Sequence, residues 1–232
     1  MRIWHISDTH TYHDLLNVPS GIDMVIHSGD CSNPRDPYNN EPEVRAFIDW
    51  YKELPIRNKI YVAGNHDTSI EKKLVIKQDF TDAGIIYLED DLVDIEGVLI
   101  YGNPYTPQFG HGWAFMKDRV KLDRYWTKAM PGYIDILVTH GPPKGILDKS
   151  YNREDVLEMC GDKSLLNKVK EVQPTYHLFG HIHNHKDIIN AGMQKMSTCD
   201  TWFSNGSVVT DGKFGMLSSN GNIFHLDTDG RI

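Results

Sequence analysis

The stretch Ile60-Tyr61-Val62-Ala63-Gly64-Asn65-His66-Asp67 decides how the rest of the chain is read. Four apolar or β-prone residues predict a buried strand, and Gly64 lets the backbone turn sharply where it ends. An amide, an imidazole and a carboxylate then crowd onto one strand end. Burying such groups unpaired would cost about 2–7 kcal/mol each, so they belong at an open edge with something to bind. The plain alternative is a turn that caps the next helix through Asp67 or Thr68.

The same pattern recurs along the chain. Arg2-Ile3-Trp4-His5-Ile6 reads as a buried strand running into Ser7-Asp8-Thr9-His10. Asp23-Met24-Val25-Ile26-His27 ends in Ser28-Gly29-Asp30, and residues 33–40 read as a loop. An amphipathic helix is predicted from Pro42 to Leu54, and a second from Ile70 to Ala83 with Gly84 in the C′ position. This strand–helix alternation implies a βαβ-built sheet. Three short strands follow, at 85–87, 92–95 and 98–101, and read as an antiparallel meander on a second sheet. Residues 102–113 form an aromatic, Gly/Pro-rich loop of a kind that often lines binding sites. A helix at 114–130 precedes the apolar strand 134–139, which ends in His140-Gly141. The helix 163–172 leads to the strand 175–179, which ends in Gly180-His181-Ile182-His183. From Lys186 to Ile232 short strands are separated by the turns Asn205-Gly206, Asp211-Gly212 and Asn220-Gly221-Asn222.

Composition narrows the classes. A chain of 232 residues can bury a large core. The three cysteines are far apart and fit a reduced, intracellular protein, which places it in the cytoplasm. No apolar run approaches 18 residues, so no membrane partner is expected. A net charge of −8 argues against non-specific nucleic-acid binding. Twelve histidines, several at strand ends, hint at metal.

In open α/β sheets, ligands bind at the carboxyl ends of the strands. Those ends offer Asp8, His10, Asp30, Asn65, His140, His181 and His183. In Asp-x-His and His-x-His on extended chain both side chains point the same way. Seven donors are too many for one ion and suit two dications that share a carboxylate. Nitrogen and oxygen donors without thiolate point to manganese, iron, nickel or zinc rather than to calcium or a structural zinc.

These motifs, in this order and across most of the chain, resemble the calcineurin-like metallophosphoesterases. The runs Gly102-Asn103-Pro104-Tyr105-Thr106-Pro107, Gly112-Trp113-Ala114-Phe115 and Thr139-His140-Gly141-Pro142-Pro143 are similar to the metallophosphoesterase-domain-containing branch, a 239-type group like class III cyclic-nucleotide phosphodiesterases. The resemblance implies an α/β fold, a four-layer αββα sandwich of two mixed β-sheets flanked by helices, with residues 1–232 as a single domain. It also implies two divalent metal ions, the first held by Asp8, His10, Asp30 and His183. The second would be held by Asp30 again with Asn65, His140 and His181. A hydroxide between them would attack phosphorus, with His66 as cation or general acid and Asp67 either orienting His66 or capping a helix. Where the family often has an aspartate, three residues after Asp30, this chain has Asn33, and Cys31 beside Asp30 reads as a packing residue.

The implied activity is that of a phosphodiesterase on small or nucleotide diesters, cyclic nucleotides included. Tyr105, Phe109, His111 and Trp113 are candidates to stack a base. A phosphomonoesterase or protein phosphatase uses the same metals but gains from arginines, and none lies beside these motifs in sequence. A nuclease and a non-catalytic scaffold are the further alternatives.

Overall fold

A computed structural model describes residues 1–211 and 215–227, so the Asp211-Gly212 turn lies outside the described residues. The first half contains β1 (Arg2–Ile6), β2 (Met24–His27), α1 (Pro37–Glu53), β3 (Asn58–Tyr61), α2 (Thr68–Glu71), α3 (Lys77–Asp82) and β4 (Ile86–Tyr87). Next come β5 (Asp91–Ile95), β6 (Val98–Asn103), β7 (Thr106–Pro107), β8 (Met116–Lys117), α4 (Arg119–Ala129) and β9 (Ile136–Thr139). The remainder comprises β10 (Lys149–Tyr151), β11 (Leu157–Met159), α5 (Lys163–Val172), β12 (Tyr176–Phe179), β13 (Gly192–Lys195), β14 (Trp202–Asn205) and β15 (Asn222–His225).

Strand periodicity builds the layers. Five strands in the order β15-β1-β2-β3-β4 form one mixed sheet, and six in the order β13-β14-β12-β9-β6-β5 form another. Ile3, Met24, Ile26 and Ile60 of the first sheet pack on Ile100, Ile136, Val138 and Leu178 of the second. Their neighbours Trp4, Val25 and Tyr61 point the opposite way, as a period of two requires, onto Phe47 and Tyr51 of α1 and Phe80 of α3. On the outer face of the second sheet, Leu137, Phe179 and Phe203 meet Leu122 and Trp126 of α4 and Leu165 and Val169 of α5. The result is the four-layer αββα sandwich. Within each sheet β1-β2-β3 and β6-β9-β12-β14 run parallel, and their carboxyl ends supply the polar turns.

Several predicted elements are displaced. The helix expected from Pro42 begins at Pro37, because Asp36 caps it by accepting from the Asn39 N–H. Pro42 is carried inside it, and residues 37–40 are helix rather than loop. The helix expected over 70–83 is two short ones, α2 and α3. Lys73 breaks it in the left-handed region (φ 60°), and Val75 folds into the core. Gly84 does occupy the C′ position after α3, at φ 71°. β4 joins the first sheet beside β3, in parallel, so the meander is reduced to the antiparallel pair β5-β6. The helix expected at 114 starts at Arg119 instead. Ala114 and Phe115 donate their N–H groups to the Asn65 carbonyl and Glu71, and Asp118 then caps α4. Asn205-Gly206 is no hairpin turn: β14 runs parallel to β12 and passes on to Ser207, which bridges Ser7 at the end of β1.

Behind the strand ends lie fully buried histidines. His5 stands between the sheets, within 3.0 Å of the hydroxyls of Ser204 and Ser28. Among the described residues, His177 Nε2 bonds the Thr139 hydroxyl while its Nδ1 has no partner. Burial pushes both imidazoles down to about 3, from an ordinary 6.5. Each stays neutral in the fold but would take a proton when unfolded. The penalty is therefore absent above about pH 6.5 and grows by up to about 1.4 kcal/mol per pH unit per histidine as pH falls towards 3. Urea titrations of the metal-free chain between pH 4 and 7 test this. His177→Gln should flatten the loss on acidification by about one such increment, and an unchanged slope would exclude His177 as a source.

Candidate functional site

The rim where the parallel strands end gathers the predicted donors. Asp8 follows β1, Asp30 follows β2, Asn65 follows β3, His140 follows β9, and His181 and His183 follow β12. Glycine is required where these loops touch: at Gly29 (φ 107°) an added Cβ would sit 2.6 Å from His140 Nδ1. At Gly180 it would collide with the Asp8 carboxylate and the Ser7 hydroxyl. Asp8 (φ 53°), His10 (φ 42°), Thr11 (φ 70°), Asp30 (φ 59°) and His181 (φ 70°) all adopt left-handed backbone. Each such residue costs on the order of 1–3 kcal/mol and persists only where its surroundings over-determine it.

Three groups of potential ligand atoms result, each within a span of 4.8 Å: Asp8, His10 and His183; His10, Asp30 and His66; and Asp30, His140 and His181. Asp30 belongs to two of them, and the Asn65 side-chain oxygen lies 3.0 Å from His140 Nε2. Backbone carbonyls orient the rings. His10 Nδ1–H donates to Ser32 (3.0 Å), His140 Nδ1–H to Ser28 (2.8 Å) and His66 Nδ1–H to Asn33 (2.9 Å). Nε2 of each ring therefore faces inward, the arrangement that metal-bound histidines adopt. His10 Nε2 is buried, has no hydrogen-bond partner among the described residues and lies 4.0 Å from Asp30 Oδ2. An orphaned imidazole nitrogen beside a carboxylate is a pair that a cation satisfies, so the donor set fits divalent metal.

The electrostatics agree. Burial would raise the two aspartates, but His183 beside Asp8, and His140, His66 and His10 around Asp30, hold both below the usual carboxylate range. Burial likewise opposes charge on His140, yet Asp30 at 3.2 Å, with Asp8 behind, lifts it to about 9. His10 is pushed down to about 4 and His181 to about 3, chiefly by burial, which leaves both neutral and able to bind a cation.

Asp67 does neither thing expected of it. It occupies the N-cap position of α2 without a side-chain cap bond, and none of its hydrogen bonds goes to His66. Fully buried, its carboxylate instead accepts from the N–H groups of Asp30, Cys31 and Gly64 and from the hydroxyls of Ser32 and Tyr61. The Cys31 thiol points at it too, and burial pushes that thiol's pKa up, consistent with a packing role.

The aromatic candidates divide. Phe109 and Trp113 line a cavity of about 160 Å³ with Asp30, Asn65 and His181, and the Phe109 ring lies 5.1 Å from that of His181. Tyr105 packs against Phe115 and Tyr125 under Lys117, and His111 is exposed outside that lining. Trp113 is held between His66, at 4.3 Å, and Arg35, whose guanidinium sits 3.8 Å over its ring. The sequence places Arg35 beside no motif, and only the turn before α1 brings it to the rim. Two more residues were missed. Ser207 donates to Asp8 Oδ2, and its signal was a strand end with glycine that read as a hairpin turn. Asn40, read as loop, reaches from α1 to the Ser32 hydroxyl and the Pro34 and His66 carbonyls.

The chain has recognisable relatives. The sequence profile described as calcineurin-like phosphoesterase matches residues 1–185. Metallophosphoesterase domain-containing protein 1 of Homo sapiens is 35% identical over 228 residues, which cover 88% of this chain and 65% of that protein. The chain thus spans about two thirds of that relative's length. UPF0046 protein C25E10.12 of Caenorhabditis elegans is 34% identical over 83% of this chain and 72% of its own. Among solved structures, TT1561 of Thermus thermophilus superposes with a TM-score of 0.58 over 88% of each chain, at 16% identity, a likeness of fold.

The Asp67 contacts generate a prediction. Asp67→Asn turns an amide N–H₂ into a ring of partners that includes three backbone N–H groups able only to donate, at about 1–3 kcal/mol for each donor left unpaired. Thermal unfolding should drop by several degrees and bound metal should fall with it. A variant with unchanged stability and metal content would show that the carboxylate does not lock the two loops.

Proposed function

Since the chain belongs to the calcineurin-like phosphoesterase family, we propose that it is a phosphodiesterase acting on small or nucleotide diesters. The observation that carries this reading is the wall of the site. Phe109 and Trp113 form it, and no lysine or arginine is found among the described residues lining the cavity. A dianionic monoester gains from several cations around its phosphate, whereas a diester has one negative charge and a second organic group. One guanidinium does reach the rim, but Arg35 lies against the Trp113 face.

Asp8, His10, Asp30 and His183 would hold one dication, and Asp30, Asn65, His140 and His181 the other, manganese before iron, zinc or nickel. Two such ions supply Lewis acidity and a water acidic enough to act near neutral pH. The protein does the rest. Asp30 belongs to two of the ligand groups, and the His66 backbone N–H donates to its Oδ1 at 2.6 Å, which ties His66 to that carboxylate. With Nδ1–H held by Asn33, His66 turns Nε2 to the site, from where a proton placed on it would pass to the leaving oxygen. The loop that brings Trp113 is tied by the Ala114 N–H to the Asn65 carbonyl, so wall and ligand move together. Residues 1–232 are read as one such unit, working in the cytoplasm without a membrane partner.

The diesterase reading is tested by comparing kcat/KM on bis-p-nitrophenyl phosphate and p-nitrophenyl phosphate. A diester preference of about tenfold or more is expected, and a monoester preference refutes it. For the bridge, Asp30→Asn should lose bound metal and turnover together. Near-stoichiometric metal with full activity would remove Asp30 from that role. For the acid, His66→Ala should keep both metals yet lose about 10²–10⁴ in turnover, less for leaving groups of low pKa. Lost metal would make His66 a ligand, and a uniform loss would make it a fixed charge.

A further inference from the structure

A second cavity, of about 520 Å³, opens on the other flank of the centre. It shares His66, His183 and Asp211 with the aromatic cavity of about 160 Å³, so these three residues form a ridge between the two. His66 and His183 also belong to the ligand groups. A phosphorus atom over those groups therefore sits on the ridge, with room on both sides. The walls differ in chemistry. Phe109 and Trp113 on one side suit a flat aromatic group. On the other, the described lining includes Thr11, Tyr12, Asn33 and Thr210, whose hydroxyl and amide groups suit a hydroxylated one, with Met216 at its edge.

We propose, resting on the diesterase reading above, that the substrate is an open-chain phosphodiester straddling this ridge, an aromatic group in one cavity and a sugar- or glycerol-like group in the other. A cyclic diester returns both ester oxygens to one sugar and fills a single cavity, so the larger one gives it nothing. In the open-chain reaction a water oxygen forms the new bond to phosphorus and the bond to the leaving oxygen breaks. That oxygen keeps the electron pair and takes the His66 proton, the proton shed by the attacking water passes to solvent and restores His66, and the products are a phosphomonoester and an alcohol or phenol. Tyr12 and Met216 make the larger cavity a determinant of specificity, separate from the groups that act on phosphorus.

Two diesters with the same leaving group isolate the effect: the p-nitrophenyl ester of thymidine 5′-phosphate and methyl p-nitrophenyl phosphate. The wild type should favour the thymidine ester at least tenfold in kcat/KM. Met216→Trp narrows the larger cavity at an exposed position. It should remove most of that preference while changing the methyl ester less than about twofold. Tyr12→Phe, which deletes one hydroxyl, should cost the thymidine ester a few fold. The inhibition constant of 3′,5′-cyclic AMP should be unmoved by Met216→Trp. A diesterase that treats both esters alike, or a Met216→Trp enzyme that loses equally on both, overturns the two-sided site and leaves the diesterase reading standing. Preference for p-nitrophenyl phosphate over either diester overturns both.

Discussion

Two loops far apart in sequence end on one buried carboxylate, and the geometry of the centre hangs from that meeting. Asp67 takes backbone N–H groups from Asp30 and Cys31 after β2 and from Gly64 after β3, and two hydroxyls besides. Asp30 keeps left-handed backbone in part because its N–H is claimed there. The charge of Asp67 is set close to that of Asp30, and burial together with this repulsion pushes the Asp67 pKa upward. The donors offset that cost and spread the negative charge over the backbone of both loops. Asn40 performs a neutral version of the same service from α1, binding the Ser32 and His66 loops and accepting from Ser69. The centre is thus suspended from the helical layer as well as from the sheets.

Above this frame the charges are arranged for a cation. Asp8 and Asp30 lie among imidazoles that divide into two kinds: His140 and His183 are drawn upward by the carboxylates, whereas His10 and His181 are forced down by burial. A field that favours protons at one nitrogen and repels them at its neighbour favours positive charge at defined points rather than everywhere. Such a field suits ions that must displace protons to bind.

Much of this was legible in the sequence because a buried strand that ends in polar residues has few other uses. The seven candidate donors follow from that rule, whereas the four layers are what the family resemblance implied. What escaped the sequence depended on choices that local chemistry leaves open. Pro42 reads as a helix start, yet Asp36 and Pro37 cap better, and with that shift Asn40 and Arg35 take their places. Asp67 sits beside His66 in sequence, but successive side chains at a turn diverge, and its partners come from residues 30–32 and from Tyr61 and Gly64. Tyr105 shares a loop with Trp113, yet Lys117 and Tyr125 claim its ring. Asn205-Gly206 carries a strong hairpin signature, and only the parallel pairing of β14 with β12 cancels it.

The bond from Ser207 to Asp8 joins residues 199 positions apart, near opposite ends of the chain. His181 and His183 also reach Asp8 across more than 170 positions. During synthesis the amino-terminal carboxylate therefore emerges long before its partners, and no early fragment can assemble the centre. Cations met by the nascent chain find single aspartates and histidines, each a weak ligand on its own. An ion held there would wait at least until His183 has been made, and the Ser207 bond that fixes Asp8 comes later still, after β14.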